Sequence, residues 1–134
     1  MAKPYELNGN VFILQNKEYN HANLVQFKAE NKKTNLGSYE NGTYDDQLWL
    51  LEEEPKHKGY YYIINKKHNW RICKGGSDRE DVWCYNGNHF DDQLWRFEHE
   101  GDNYYRIYNY SYPNHKLTKF GSGNDRIGSY EGEK

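Results

Sequence analysis

The sequence predicts an all-β domain built from three copies of one strand motif. Three observations point there. The word Asp45-Asp46-Gln47-Leu48-Trp49 returns as Asp91-Asp92-Gln93-Leu94-Trp95, 46 residues later. The 14 tyrosines, four tryptophans and the β-branched residues gather in short runs, with Asn, Gly, Asp and Lys between them. No stretch carries a sustained apolar period of 3.6 residues, so helix signals are poor.

The elements follow in order. The first strand of each copy reads Val11-Phe12-Ile13-Leu14-Gln15-Asn16, Tyr60-Tyr61-Tyr62-Ile63-Ile64-Asn65 and Tyr104-Tyr105-Arg106-Ile107-Tyr108-Asn109. Aligning the asparagines puts Leu14, Ile63 and Ile107 in register. Phe12, Tyr61 and Tyr105 stand two residues earlier. Matched apolar positions two apart are strand periodicity with one face turned inward. The second strands read Leu24-Val25-Gln26-Phe27, Ile72-Cys73-Lys74 and Leu117-Thr118-Lys119-Phe120. The third strands carry Gly37-Ser38-Tyr39-Glu40, Trp83-Cys84-Tyr85-Asn86 and Gly128-Ser129-Tyr130-Glu131. The fourth holds the Gln-Leu-Trp of the repeated word.

Copy three stops before its own Gln-x-Trp. Lys3-Pro4-Tyr5-Glu6-Leu7 precedes Val11 much as the Trp49 strand precedes Tyr60, with Tyr5 in the tryptophan position. The N-terminal segment is therefore expected to complete the third copy. This gives a single domain over 1–134, with repeats of about 8–55, 56–100 and 101–134 plus 1–7. Short strands at regular spacing argue for a sandwich or barrel. Three copies are too few for a propeller. Three copies of four strands make a pseudo-threefold barrel capped by hairpins, the β-trefoil.

Composition excludes several function classes. The formal net charge is −2, with both signs interspersed. Such a surface offers no field for nucleic acid or an anionic membrane. The short runs Glu52-Glu53-Glu54 and Asn31-Lys32-Lys33 read as solvated loops. No apolar stretch is long enough to span a bilayer, and Met1-Ala2-Lys3-Pro4 opens without an apolar leader segment. The chain as given is expected to be soluble: cytoplasmic, released by a non-standard route, or shown without its leader. There is no Gly-rich phosphate loop, nucleophile elbow or His-Glu-x-x-His, so no catalytic residues, metal or cofactor are expected. Cys73 and Cys84 flank one hairpin. A bridge there and two free, partly buried thiols are both open.

A Gln-x-Trp near the end of repeats of about 45 residues resembles the ricin B-type lectin family of β-trefoils. Gln47-Leu48-Trp49 and Gln93-Leu94-Trp95 carry the resemblance, together with first strands such as Tyr104-Tyr105-Arg106-Ile107-Tyr108-Asn109. It implies that Trp49 and Trp95 pack into the core and that the glutamines satisfy buried backbone groups. It also implies up to three shallow sugar pockets. In each, a third-strand aromatic stacks on the sugar's apolar face, and a polar group at or before Gln-x-Trp bonds its hydroxyls. A pyranose has one apolar patch and many directional hydroxyls, so it suits a flat amphipathic ring beside planar acceptors.

The aromatic position matches Tyr39, Tyr85 and Tyr130. The polar position matches Asp46 and Asp92, with Gln47 and Gln93 beside them. The chain departs from the family at the second-strand acid, which none of the three strands has. That departure bears on the family's usual preference for galactose. Glu30, Asp78, Glu80, Asp81 and Asp125 lie in following loops and could substitute.

Each assignment has a plainer counterpart. The tyrosines could be cross-strand packing partners, and the aspartates turn residues bonded to their own backbone. Trp70 and Trp83 occur only in repeat two and could form a stacking platform. His21, His68 and His115 fall in similar turns, where Asn-His is ordinary turn chemistry. Asn41-Gly42-Thr43 and Asn109-Tyr110-Ser111 are glycosylation sequons. The expected function is a non-catalytic lectin for glycans or glycoconjugates, with galactose-type sugars the first guess, no nucleic acid, no membrane insertion, and a homodimer open. Repeated weak sites gain avidity on multivalent glycans. The alternative is a protein-interaction trefoil, such as a protease inhibitor or a receptor or cytoskeletal ligand, acting through the repeat-two hairpin.

Overall fold

A computed structural model describes residues 7–15, 23–26, 33–39, 45–74, 82–85, 91–101, 104–119 and 127–131. The strands are β1 (Val11–Ile13), β2 (Asn23–Val25), β3 (Lys33–Asn35), β4 (Gly37–Tyr39), β5 (Leu48–Glu53), β6 (Tyr60–Asn65), β7 (Arg71–Lys74), β8 (Val82–Tyr85), β9 (Trp95–Gly101), β10 (Tyr104–Asn109), β11 (His115–Lys119) and β12 (Ile127–Glu131). Two 3-10 turns, Asp45–Gln47 and Asp91–Gln93, open the two copies of the repeated word. The fold is a β-trefoil.

Antiparallel pairing runs β1–β5–β6–β9–β10 around the barrel. Hairpins β2–β4, β7–β8 and β11–β12 cap it, one per repeat. The strand expected to close the third repeat lies outside the described residues, Tyr5 included. Leu7, at the end of that segment, packs against the core. Lys33, expected in a solvated loop, lies in β3, which joins repeat one to β8 of repeat two.

Alternation along the barrel strands sets the core. Trp49 and Leu51 of β5 are buried, while Leu48 and Leu50, which alternate with them, are half-buried. Trp49, Trp95, Ile63 and Ile72 are fully buried in one cluster, with Phe12, Leu14, Tyr61 and Ile107 packed against it. Each indole N–H finds an acceptor on the second strand of its own repeat. Trp49 Nε1 donates to Leu24 O and Trp95 Nε1 to Ile72 O, both at 2.9 Å. A buried indole needs that partner, since an unpaired polar group in the core is costly.

Repeats interlock through the asparagines that end β6 and β10. Asn65 Nδ2 donates to Asp46 O at 2.9 Å, and Asn109 Nδ2 to Asp92 O at 3.0 Å. Asn65 Oδ1 accepts from the Lys67 and His68 amides, and Asn109 Oδ1 from the Ser111 and Tyr112 amides. One side chain thus closes its own turn and holds the Asp-Gln turn of the preceding repeat. Three residues on, the same relation recurs. His68 Nε2 lies 3.1 Å from Gln26 O, and Tyr112 presents its ring 5.1 Å from Lys74 Nζ. Lys74 is fully buried, and the ring face offsets part of the cost of burying its charge.

Several expectations are corrected by this packing. Asn109, the acceptor residue of a sequon, is 1 % exposed with its amide bonded at both ends, so the folded chain does not present it for glycosylation. Asn41 lies outside the described residues. Trp70 is 7 % exposed within the core cluster and is no surface platform. His68 reaches Gln26, and His115 stands edge-on to Tyr112. His21 lies outside the described residues. Cys73 pairs with Trp83, and Cys84 with Ile72. Directly opposed residues share a face and neighbours along a strand alternate, so the two thiols point to opposite faces of the hairpin. Neither forms a disulfide, and both are buried.

Candidate functional site

The third-strand tyrosines fall at one register position. Tyr39 stands opposite Asn23, Tyr85 opposite Arg71, and Tyr130 opposite Lys116. The row continues into the first strand of each repeat, to Gln15, Ile64 and Tyr108 respectively. Side chains in such a row share a face of the sheet. Tyr85 is half-buried. Only the backbone of Tyr39 and Tyr130 is described.

The Asp-Gln turns lie against the second strand of the same repeat. In repeat one, Asp46 O accepts from the Gln26 amide at 3.1 Å as well as from Asn65. Gln47 Oε1 accepts from Asn23 Nδ2 at 2.9 Å, and Asn23 Oδ1 accepts from Gln15 Nε2 at 2.9 Å. Asn23 therefore links the Asp-Gln turn to the row that holds Tyr39. In repeat two, the turn over Asp91–Gln93 leads into Trp95, whose indole is bonded to Ile72 on β7. Arg71, opposite Tyr85, is the preceding residue of that strand. Sequence-distant residues in both repeats are thus gathered around the second strand.

The aspartates and glutamines separate in burial. Asp46 and Asp92 are half-buried. Asp46 Oδ1 is buried with no hydrogen-bond partner. Gln47 and Gln93, expected beside the sugar, are 1 % and 0 % exposed, so neither amide is at the surface. Gln47 Oε1 accepts from the Asn23 side chain, and the Asp46 carbonyl of the same turn accepts from both Asn65 and the Gln26 amide. On the second strands, where the family resemblance implies an acid, Val25 and Cys73 are buried and Thr118 is half-buried. The acids proposed as substitutes, Glu30, Asp78, Glu80, Asp81 and Asp125, lie outside the described residues. Among the described residues no cluster of His, Cys, Asp and Glu could hold a metal ion.

Asn23, Arg71 and Lys116 were not singled out from the sequence. They share a register, but Asn23 is neutral whereas Arg71 and Lys116 are basic, and they follow the aligned asparagines at slightly different intervals. Repeat comparison alone therefore carries no signal for them.

The ricin-type β-trefoil lectin domain-like family model matches residues 45–125, more than half of the chain. No curated protein sequence matches it. Similar folds occur in a mosquitocidal holotoxin, at TM-score 0.81 and 16 % identity over 93 % of this chain and 16 % of that one. The BEL β-trefoil matches at TM-score 0.77 and 23 % identity, covering 95 % and 87 %. SeviL, solved bound to an asialo-GM1 saccharide, matches at 0.72 and 20 %, covering 95 % and 91 %. The chain thus spans a small part of the toxin and most of the two trefoils. At these identities the likeness shows the fold alone. No helix among the described residues is long and apolar enough to cross a membrane. By the family model that covers both repeated words, the chain belongs to the ricin-type β-trefoil lectin domain-like family.

Proposed function

We propose that this chain is a non-catalytic carbohydrate-binding module. Its sugar sites centre on Tyr39 and Tyr85, with Asp46 and Asp92 as hydroxyl acceptors and Tyr130 as a third platform. One observation carries the reading: Tyr39, Tyr85 and Tyr130 occupy one register position, each on a strand paired with the second strand of its repeat. A platform repeated by threefold symmetry suits recognition of one ligand class several times. A single asymmetric catalytic constellation has no such need. Family membership and the saccharide ligand of SeviL support a glycan as that ligand. In this reading Gln47 and Gln93 act from below, holding the turns that carry the aspartates. Burial of Trp70 counts against the alternative, a protein-binding surface on the repeat-two hairpin.

A glycan array tests it. Wild type is expected to bind at least one glycan class. A Tyr39→Ala/Tyr85→Ala double variant should lose about tenfold or more, since ring stacking contributes roughly 1 kcal/mol per site beyond burial. An array with no bound glycan, or equal binding by the double variant, refutes the reading.

A further inference from the structure

Arg71 differs from the other described arginines. Arg96 holds Glu98 at 2.6 Å, and Arg106 holds Glu100 at 3.5 Å. Arg71 has no carboxylate partner among the described residues. Its Nε is buried without a hydrogen-bond acceptor. Its guanidinium carbon lies 5.5 Å from the centre of the Tyr62 ring. Glu54 accepts from the Tyr62 hydroxyl and the Lys56 amide, not from Arg71. The ring face offsets part of the cost of a half-buried cation, but it supplies no countercharge.

The position of this cation matters more than its isolation. Arg71 stands directly opposite Tyr85 on β8, and Lys33 of β3 stands opposite Tyr85 on the other side. The stacking tyrosine of repeat two is therefore bracketed in register by two basic residues. In repeat one the place of Arg71 is taken by neutral Asn23, tied to Gln47 and Gln15. In repeat three it is taken by Lys116, which is 5 % exposed with its Nζ 5.6 Å from the centre of the Tyr108 ring.

We propose that the repeat-two site takes an anionic saccharide: a hexose stacked on Tyr85, with its carboxylate or sulfate held by Arg71. This rests on the carbohydrate-binding reading above. A planar guanidinium matches such an oxyanion with two parallel hydrogen bonds. A carboxylate on this strand would accept from neutral hydroxyls, whereas Arg71 opposite the ring offers only donors and a positive charge, which suit an oxyanion. Repeat one, with Asn23, takes the neutral sugar.

The test is a panel of one neutral galactoside core and its sialylated, uronate-bearing and sulfated forms. Wild type, Arg71→Met and Arg71→Lys are compared, with a urea midpoint confirming that each variant is folded. Wild type should bind at least one anionic form more tightly than the neutral core, and added salt should weaken that form more. Which form binds best separates carboxylate from sulfate. Arg71→Met should weaken the anionic form about ten- to hundredfold. Arg71→Lys, which keeps the charge but not the fork, should fall between and serves if the Met variant does not fold. Anionic forms bound no better than the neutral core, or full anionic affinity in either folded variant, overturn the inference and leave the lectin reading standing. No binding of any panel member or other glycan by wild type overturns both.

Discussion

Replacing Asn65 by Ala removes the side chain that joins repeat one to repeat two. Three hydrogen bonds are lost: Nδ2 to Asp46 O at 2.9 Å, and Oδ1 from the Lys67 and His68 amides, each at 3.1 Å. A typical internal hydrogen bond contributes about 1 kcal/mol net, and a buried group left unpaired costs about 1–3 kcal/mol. Asn65 itself is 0 % exposed, so water does not replace its contacts from that side. Lys67 is exposed, and its amide recovers a partner from solvent. Asp46 O keeps the Gln26 amide. The expected loss is therefore about 2–4 kcal/mol, which lowers Tm by roughly 10 °C for a domain of this size. Asn65→Asp should cost at least as much. It keeps the two accepted bonds but turns a donor into a buried charge facing a carbonyl. Asn109→Ala should match Asn65→Ala within about 1 kcal/mol, because Asn109 makes the equivalent three bonds. Urea denaturation with a fixed slope measures each. A loss under about 0.5 kcal/mol for Asn65→Ala would falsify the claim that this side chain latches the repeats.

Two further expectations concern titration. Burial, and then the neighbouring Cys73, push the Cys84 thiol well above its ordinary value of 9.0. Below the unfolded pKa of about 8.5 the thiol is neutral in both states. Above it the unfolded chain sheds a proton that the folded one keeps, so stability should fall as pH rises from there. Cys84→Ser should flatten that decline, and a decline of the same slope in the variant would refute the assignment. Glu54 is held below its ordinary 4.5 by the Lys56 amide, then by the Tyr62 hydroxyl. A lowered carboxylate pKa contributes stability that is present above the unfolded value and lost as pH falls through the folded one. Side-chain NMR should place the Glu54 midpoint below 4.5, and Tyr62→Phe should move it part of the way back. An unmoved midpoint would remove Tyr62 as a cause.

The strands were the most legible part of the sequence. Tyr60–Asn65 and Tyr104–Asn109 form strands with the bounds their repeated text suggests. Trp49 and Trp95 are buried, as the family resemblance carried by Gln-x-Trp implies. The matched tyrosines were also readable, since a three-times-repeated position needs only alignment. The groups around them were not. Asn23 is neutral whereas Arg71 and Lys116 are basic, and Lys33 looked like part of a charged loop.

The sequence by itself determined that this is a threefold repeat of short strands, because strand alternation and an identical turn word are local patterns printed in the chain. It also determined that a tyrosine recurs, as Tyr39, Tyr85 and Tyr130. Only the tertiary structure decided what stands beside each of them. Cross-strand register sets that, and register depends on pairing between segments that carry no matching text. It is also why the repeated Asp-Asp-Gln-Leu-Trp divides by depth. Gln47 and Trp49 fall inward and build the fold, whereas the half-buried Asp46 keeps a carboxylate oxygen without a partner.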